Sequence, residues 1–189
     1  MSLFQPGYLP QLTLAGKSFH GSAGATGVTV PIYNSTSPTF ALWNPLGSNK
    51  IIIPVTFAVG VEATGTPAIT TLGLSEVIST GANAATGAVI SAWTDATVYN
   101  GRIGQVGGNK GRLGVATTTL GAAGNFFYEF GFSQATTSLA NGWVSLVHKF
   151  DGMIALEPGS LVHVVGAPLA PVEVMTPSIS WIEIDYTSA

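Results

Sequence analysis

The chain has 189 residues, of which 46% are hydrophobic, and only six Lys or Arg and nine Asp or Glu carry a formal charge. The hydrophobic content excludes a disordered chain, and the absence of cysteine excludes disulfides and thiolate metal sites. No apolar run reaches the roughly 20 residues that a membrane-spanning helix needs. Charged residues form 8% of the chain, against about 25% in an average soluble domain, so we expect much of the surface to lie against protein.

The first residues predict an extended N-terminal arm over residues 1–15, ahead of a single domain over residues 16–189. Pro6 and Pro10 fix local backbone angles and remove hydrogen-bond donors, which favours an extended segment. Such an arm can lie across a neighbouring subunit, and a loose chain end is the alternative.

The remainder of the chain predicts short β-strands. Helix-forming residues are scarce, 24 Gly and 11 Pro interrupt the chain, and Thr, Val, Ile and aromatic residues fill the intervals. Pro54 favours a bulge or a sheet edge where it falls. The predicted strands are 27–33, 39–43, 51–61, one or two within 66–80, 88–98, 113–120, 126–132, 143–150, 161–165 and 178–186.

These strands predict an all-β, antiparallel fold, because parallel strands need crossover connections that are usually helices. Two sheets packed face to face or a closed barrel would bury the apolar residues. We expect an antiparallel β-sandwich of the jelly-roll type. A helical insert near 81–87 is disfavoured by its glycines.

The segment 101–112 is rich in glycine and holds three of the six basic residues, Arg102, Lys110 and Arg112. A phosphate-binding loop needs Gly-Lys followed by Ser or Thr at the start of a helix, and Lys110 lies instead between Asn109 and a glycine. The remaining interpretations are a mobile basic loop that contacts an acidic partner surface and a solvated hairpin loop.

The sequence provides no convincing catalytic or metal site. His20, His148 and His163 lack metal-ligand spacing, although the last two flank a turn and could meet across paired strands. Glu183 and Asp185 share one strand face, as a glycosidase pair would, but their place near the C-terminus favours a solvated strand end. We therefore expect no enzyme activity, no catalytic residue, no cofactor and no metal.

The four tryptophans are expected to pack in the core or at a subunit interface. Trp43, Trp93, Trp143 and Trp181 occur at about one per predicted strand, which is typical of core or subunit-interface residues. The alternative is an exposed platform that stacks on sugars.

Three stretches of the chain carry recognisable motifs. Residues 39–53 resemble an aromatic strand, an Asn-Pro-x-Gly-Ser turn and an Ile-rich strand. Residues 154–161 resemble a Leu-x-Pro-Gly-Ser-Leu turn, and residues 180–185 are similar to a closing Trp-x-Glu strand. In this order, the three stretches resemble small β-rich virion proteins of tailed bacteriophages, including capsid decoration (cement) proteins.

The resemblance implies a jelly-roll-like subunit, commonly trimeric, that lies on the outer capsid surface and bridges major capsid proteins. It implies a protein made in the host cytoplasm and located in the virion. The net charge of −3 and the short apolar runs lead us to expect no nucleic acid and no membrane partner. A tail or head-fibre module that binds a receptor or carbohydrate is the alternative. The residues that we expect to contact partners are Leu3, Phe4, Tyr8, Leu9, Arg102, Lys110 and Arg112.

Overall fold

A computed structural model describes the central part of the chain with several internal gaps. The described residues are 8–24, 26–32, 35–63, 69–77, 93–105, 107–115, 120, 125–134, 144–167 and 173–186. They form one helix and eleven strands: α1 (Tyr8–Leu14), β1 (Ser18–Ser22), β2 (Val28–Thr29), β3 (Ala41–Trp43), β4 (Lys50–Ala63), β5 (Ile69–Val77), β6 (Val98–Asn100), β7 (Arg112–Gly114), β8 (Asn125–Gln134), β9 (Val144–Lys149), β10 (Leu161–Ala167) and β11 (Glu173–Asp185).

The strands form two antiparallel sheets. One sheet has the order β6-β1-β11-β4-β9, with β2 also paired to β11. The other has the order β7-β3-β10-β5-β8. The prediction of an all-β chain with antiparallel strands is confirmed.

The core lies between the two sheets. Phe57 and Trp181 from the six-stranded sheet belong to the same buried cluster as Leu42 and Val164 from the five-stranded sheet. Because neighbouring residues of a strand point to opposite faces, each strand contributes alternate side chains to this cluster. The two sheets therefore stabilise one another mainly by apolar burial.

Strand β4 contains the bulge that the sequence predicts around Pro54. The strand lies between β11 and β9, and its register with β11 shifts between Ser180 and Trp181, which pair with Thr56 and Pro54. Val55 is the extra residue, and its carbonyl oxygen accepts a hydrogen bond from the backbone N–H of Phe150 (3.0 Å). The bulge accommodates a proline, which has no N–H to donate, inside a sheet.

The prediction of an extended N-terminal arm is wrong for residues 8–14, which form helix α1. Pro10 is tolerated because it lies in the first helical turn, where the backbone N–H groups have no partner within the helix. Leu12 is buried against Ile53 and Ile182, so packing on the sheet stabilises this short helix. Residues 1–7 lie outside the described residues.

Candidate partner-binding surface and its supporting contacts

Two of the three stretches that carry the family resemblance meet at the buried side chain of Asn44. Its Nδ2 donates hydrogen bonds to the carbonyl oxygens of Lys50 and Leu156, both at 2.8 Å. Its Oδ1 accepts a hydrogen bond from the Ser48 hydroxyl (2.6 Å), and its backbone carbonyl accepts one from Gly159 (2.7 Å). Asn44 thus joins the Asn-Pro-x-Gly-Ser turn to the Pro-Gly-Ser turn.

The third stretch is tied to the same region through Glu183, which pairs with Ile52 of β4. Glu183 is 3% exposed, and its carboxylate accepts hydrogen bonds from the backbone N–H groups of Lys110 (2.9 Å) and Gly111 (2.8 Å). Trp181 donates a further hydrogen bond from Nε1 (3.1 Å). The prediction of a solvated strand end is therefore wrong for Glu183, whose charge is used to hold a loop.

The described part of the glycine-rich loop is anchored at both ends. The backbone N–H of Gly101 donates to the carbonyl oxygen of Ser18 (2.8 Å), and Glu183 holds Lys110 and Gly111. The Lys110 side chain points into solvent. The anchors leave the Lys110 ammonium available to a partner while they fix its backbone.

Arg112 is engaged within the chain. Its Nε and Nη2 donate to the two carboxylate oxygens of Asp95 at 2.9 and 2.7 Å, and its guanidinium lies 5.4 Å from the ring centre of Trp43 and 5.7 Å from that of Trp93. The hydrogen bond from Arg112 holds the pKa of Asp95 below its usual value. Arg112 therefore links β7 to the segment before β6.

Asp185 joins two basic residues at the end of β11. It forms ion pairs with Lys50 and with Lys17, the latter at 3.3 Å. The hydrogen bond from Lys50, followed by that from Lys17, lowers the pKa of Asp185. Asp185 is exposed whereas Glu183 is buried, so the two carboxylates serve different contacts rather than one catalytic centre.

Three exposed apolar residues lie on two segments that Arg102 joins, namely α1 and the turn after β6. Leu14 is 69% exposed and Ile103 is 97% exposed. Arg102 connects their segments, because its Nη1 donates to the carbonyl oxygen of Leu14 (3.3 Å). Leu9 lies near Gly101 in the lining of a cavity of about 260 Å³. We call Leu9, Leu14 and Ile103 the α1 patch.

The predicted partner-binding residues have different surroundings. Leu9 and Arg102 lie at the α1 patch, whereas Tyr8 is half-buried beside the Leu12 cluster. Lys110 and Arg112 lie at the far end of the loop. Leu3 and Phe4 fall outside the described residues. Sequence reasoning missed Leu14 and Ile103, whose exposure depends on how α1 docks.

The outer face of the six-stranded sheet carries mostly small uncharged residues. Tyr99, His20, Ser180, Thr56 and Lys149 lie opposite one another in register across five strands. The next row continues the same pattern with Ser22, Ser178, Ala58 and Val147. This face has little charge to desolvate when a ligand or partner covers it.

The three histidines do not form a common site. His148 lies on β9, where the hydroxyl of Tyr128 is 2.8 Å from its Nε2, and His163 lies on β10 in the other sheet, so the two do not meet across paired strands. His20 is exposed and stacks on Tyr99. Within the described residues, no group of three His, Asp or Glu side chains could hold a metal ion.

The described tryptophans pack within the protein. Trp181 is fully buried, Trp43 is 9% exposed, and the rings of Trp43 and Trp93 lie 5.6 Å apart. Trp143 falls outside the described residues. A sugar-binding platform built from tryptophans therefore has no support among the three that the structure describes.

Comparisons of the chain with protein-family models, with curated proteins and with solved structures find no match. The described part of the chain holds no helix with the length and apolar character that crossing a bilayer requires.

Proposed function

We propose that the chain is a structural virion protein of a tailed bacteriophage, a capsid decoration protein that forms a homotrimer and binds the major capsid protein. The observation that carries this proposal is the α1 patch, an exposed apolar surface on a chain with very few charges. Exposed apolar residues that cluster mark interaction sites more often than isolated ones do.

Internal pairing further reduces the charge available at the surface. Lys17 and Lys50 share Asp185, and Arg112 pairs with Asp95, so three of the six basic residues have an acidic partner within the chain. Interface cores are depleted of charged residues, because desolvating a charge opposes association. A surface of this kind suits contact with protein over a large area.

The α1 patch has the composition of an interface centre with a polar border. Ile103 and Leu14 offer side chains that gain about 25 cal/mol per Å² when buried, and Arg102 lies beside them. Arginine is enriched at protein interfaces, where its guanidinium forms hydrogen bonds while its stem packs on apolar groups. We infer that this patch contacts a neighbouring subunit or the capsid.

The strand order supports the jelly-roll expectation. The order β1-β11-β4-β9 in one sheet faces β3-β10-β5-β8 in the other. Eight strands in this arrangement, taken along the chain, wind as two Greek keys, as in viral capsid and lectin domains. The meeting of the three resemblance stretches around Asn44 and Ile52 supports the same assignment.

The test is co-sedimentation with capsid shells of the tailed phage that carries the chain. We expect the intact protein to pellet with shells and to saturate them at a fixed ratio. Ile103→Asp should reduce the bound fraction, whereas Val147→Asp, an equally drastic change at an exposed site on β9, should bind as the unaltered chain does. Failure of the intact protein to bind shells would refute the capsid role.

A further inference from the structure

A groove of about 450 Å³ crosses the outer face of the six-stranded sheet near its β6 edge. Its volume lies within the range of roughly 300–1,000 Å³ that is typical of small-ligand sites. Strands β6, β1, β11 and β4 all contribute lining residues, so the groove is built on paired strands. A site on a sheet holds its side chains in fixed relative positions.

One wall of the groove is a pair of stacked rings. Tyr99 and His20 lie opposite each other in register, with ring centres 5.7 Å apart and planes inclined by 21°. Tyr99 is 58% exposed, and His20 is also exposed. His20 lies between Tyr99 and Ser180 in register, so the stacked pair borders the floor of the groove and offers exposed ring area to a ligand.

The floor of the groove consists of small side chains, most of which carry a hydroxyl group. It includes Ser22, Thr56, Ser178 and Ser180, with Ala58 among them. The Ser178 hydroxyl is 3.4 Å from the carbonyl oxygen of Ala58, a long hydrogen bond that a ligand hydroxyl can replace. Small side chains let a flat ligand approach the sheet, and the hydroxyls can both donate and accept hydrogen bonds.

None of the described residues that line the groove is Asp, Glu, Lys or Arg. Lys149 pairs with Thr56 from the adjacent strand but does not line the groove, so a phosphate, a sialic acid or another anionic ligand finds no Lys or Arg in the lining itself. An aliphatic ligand would leave the serine and threonine hydroxyls without water or a partner. The lining matches a neutral ligand that combines an apolar ring face with hydroxyl groups at its edge.

We propose that this groove binds a neutral carbohydrate of two or three pyranose units. One pyranose ring lies with its C–H face on the ring pair formed by His20 and Tyr99, and its hydroxyl groups exchange hydrogen bonds with Ser178 and Ser180. The open shape and the absence of charged hydrogen bonds limit the affinity to a dissociation constant on the order of 1 mM. The α1 patch residues do not line this groove, although Leu9 lines a neighbouring cavity together with His20 and Ser180. The carbohydrate proposal does not depend on capsid binding.

The direct test is saturation-transfer NMR on the intact protein, with maltotriose, cellotriose and chitotriose as neutral probes and sialyllactose as the charged comparison. We expect transfer to the ring protons of at least one neutral probe and a weaker effect with sialyllactose. Tyr99→Ala should weaken binding by about tenfold, which corresponds to the loss of one stacking contact. Tyr186→Ala, a change at an exposed tyrosine outside the groove, should leave it unchanged.

A second variant fills the groove instead of removing its wall. Ala58→Phe places a ring on the floor, on the outward face of β4, and should abolish binding while urea unfolding confirms that the protein remains folded. Absence of transfer to all three neutral probes, or equal affinity of the intact protein and the Tyr99→Ala and Ala58→Phe variants, would overturn the proposal. Neither result would bear on co-sedimentation with capsid shells.

Discussion

The carboxylate of Glu183 accepts a hydrogen bond from the backbone N–H of Gly111 at 2.8 Å, so the last strand holds one end of the basic loop. Lys110 and Trp181 complete the set of donors around this buried carboxylate. Removing the acceptor would leave these donors without a partner away from water. A lost hydrogen bond to a charged group is worth about 1.5–3 kcal/mol.

We expect Glu183→Ala to lower the free energy of unfolding by about 3 kcal/mol, since several donors lose their acceptor together. Urea unfolding followed by tryptophan fluorescence measures this change. Glu157→Ala, the same substitution at an exposed glutamate, is the control and should change stability by less than about 0.5 kcal/mol. Equal effects of the two substitutions would contradict the assigned role of Glu183.

Asn44 is expected to contribute to stability through three side-chain hydrogen bonds. Asn44→Ala removes all three side-chain hydrogen bonds at a buried position, so it should cost about 2–4 kcal/mol. Ser48→Ala removes one of them, together with the longer hydrogen bond that its hydroxyl accepts from the backbone N–H of Lys50 (3.2 Å), and should cost about 1 kcal/mol. Chemical unfolding of both variants gives the comparison, and a smaller loss for Asn44→Ala than for Ser48→Ala would contradict this account.

The link that Arg112 forms between β7 and the segment before β6 should depend on its planar guanidinium group. Arg112→Lys keeps the charge but loses the two-point hydrogen bond to Asp95 and the contacts with the rings of Trp43 and Trp93. Tryptophan emission should therefore shift to the red, and the free energy of unfolding should fall by about 1 kcal/mol. Lys110→Arg is the matched control, because Lys110 contributes backbone contacts to Glu183. An unchanged tryptophan emission spectrum for Arg112→Lys would argue against this role of Arg112.

His163 should make stability depend on pH. The ring is fully buried, its two nitrogens lack hydrogen bonds among the described residues, and burial lowers its pKa to about 4 from a usual value of 6.5. The unfolded chain therefore binds a proton between these values that the folded chain does not, so stability is full above pH 6.5 and falls as the pH drops towards 4. The loss over this window should be about 3 kcal/mol.

Unfolding free energies measured from pH 7 to pH 4.5 test this expectation. His163→Leu should flatten the decline, because it removes the titrating ring and fits the apolar surroundings. His20→Leu makes the same change at an exposed histidine and should retain the decline. A slope that persists in His163→Leu would assign the pH dependence to other groups.

Strands with regular apolar patterns could be predicted from the sequence, whereas elements that depend on packing could not. Strands β4 and β11 are rich in Ile and Val, and the sequence located most of each. Strand β1 was missed because Gly21 has a low strand propensity; its pairing with β11 and β6 and its contact with Leu113 decide its conformation. Helix α1 was missed because Pro6 and Pro10 were interpreted as favouring an extended segment, although Leu12 stabilises the helix by packing.

The candidate surface was predictable in outline only. The charge deficit led us to expect protein contacts, Leu9 is one of the exposed apolar residues of the α1 patch, and Arg102 is hydrogen-bonded to the Leu14 carbonyl. The sequence alone could not reveal that Arg112 is paired with Asp95, since that contact depends on how β7 meets the segment before β6. It also could not reveal that Glu183 is buried, because the loop that covers it is distant along the chain.

The α1 patch is expected to be an interface between copies or with the capsid, and its two most exposed residues provide the variants. Leu14→Asp and Ile103→Asp should weaken self-association or shell binding while leaving the unfolding free energy nearly unchanged, because neither side chain packs in the core. Met153→Asp, at a residue that is 70% exposed outside the patch, is the control. Equal behaviour of all three variants would remove the patch from the interface.

Sedimentation-velocity ultracentrifugation of the intact chain at micromolar concentration tests the central claim most directly. The account predicts a stable species with three times the 19.3 kDa mass of one chain, and a shift towards smaller species in Ile103→Asp. A single 19.3 kDa species at every concentration would contradict the proposed trimer.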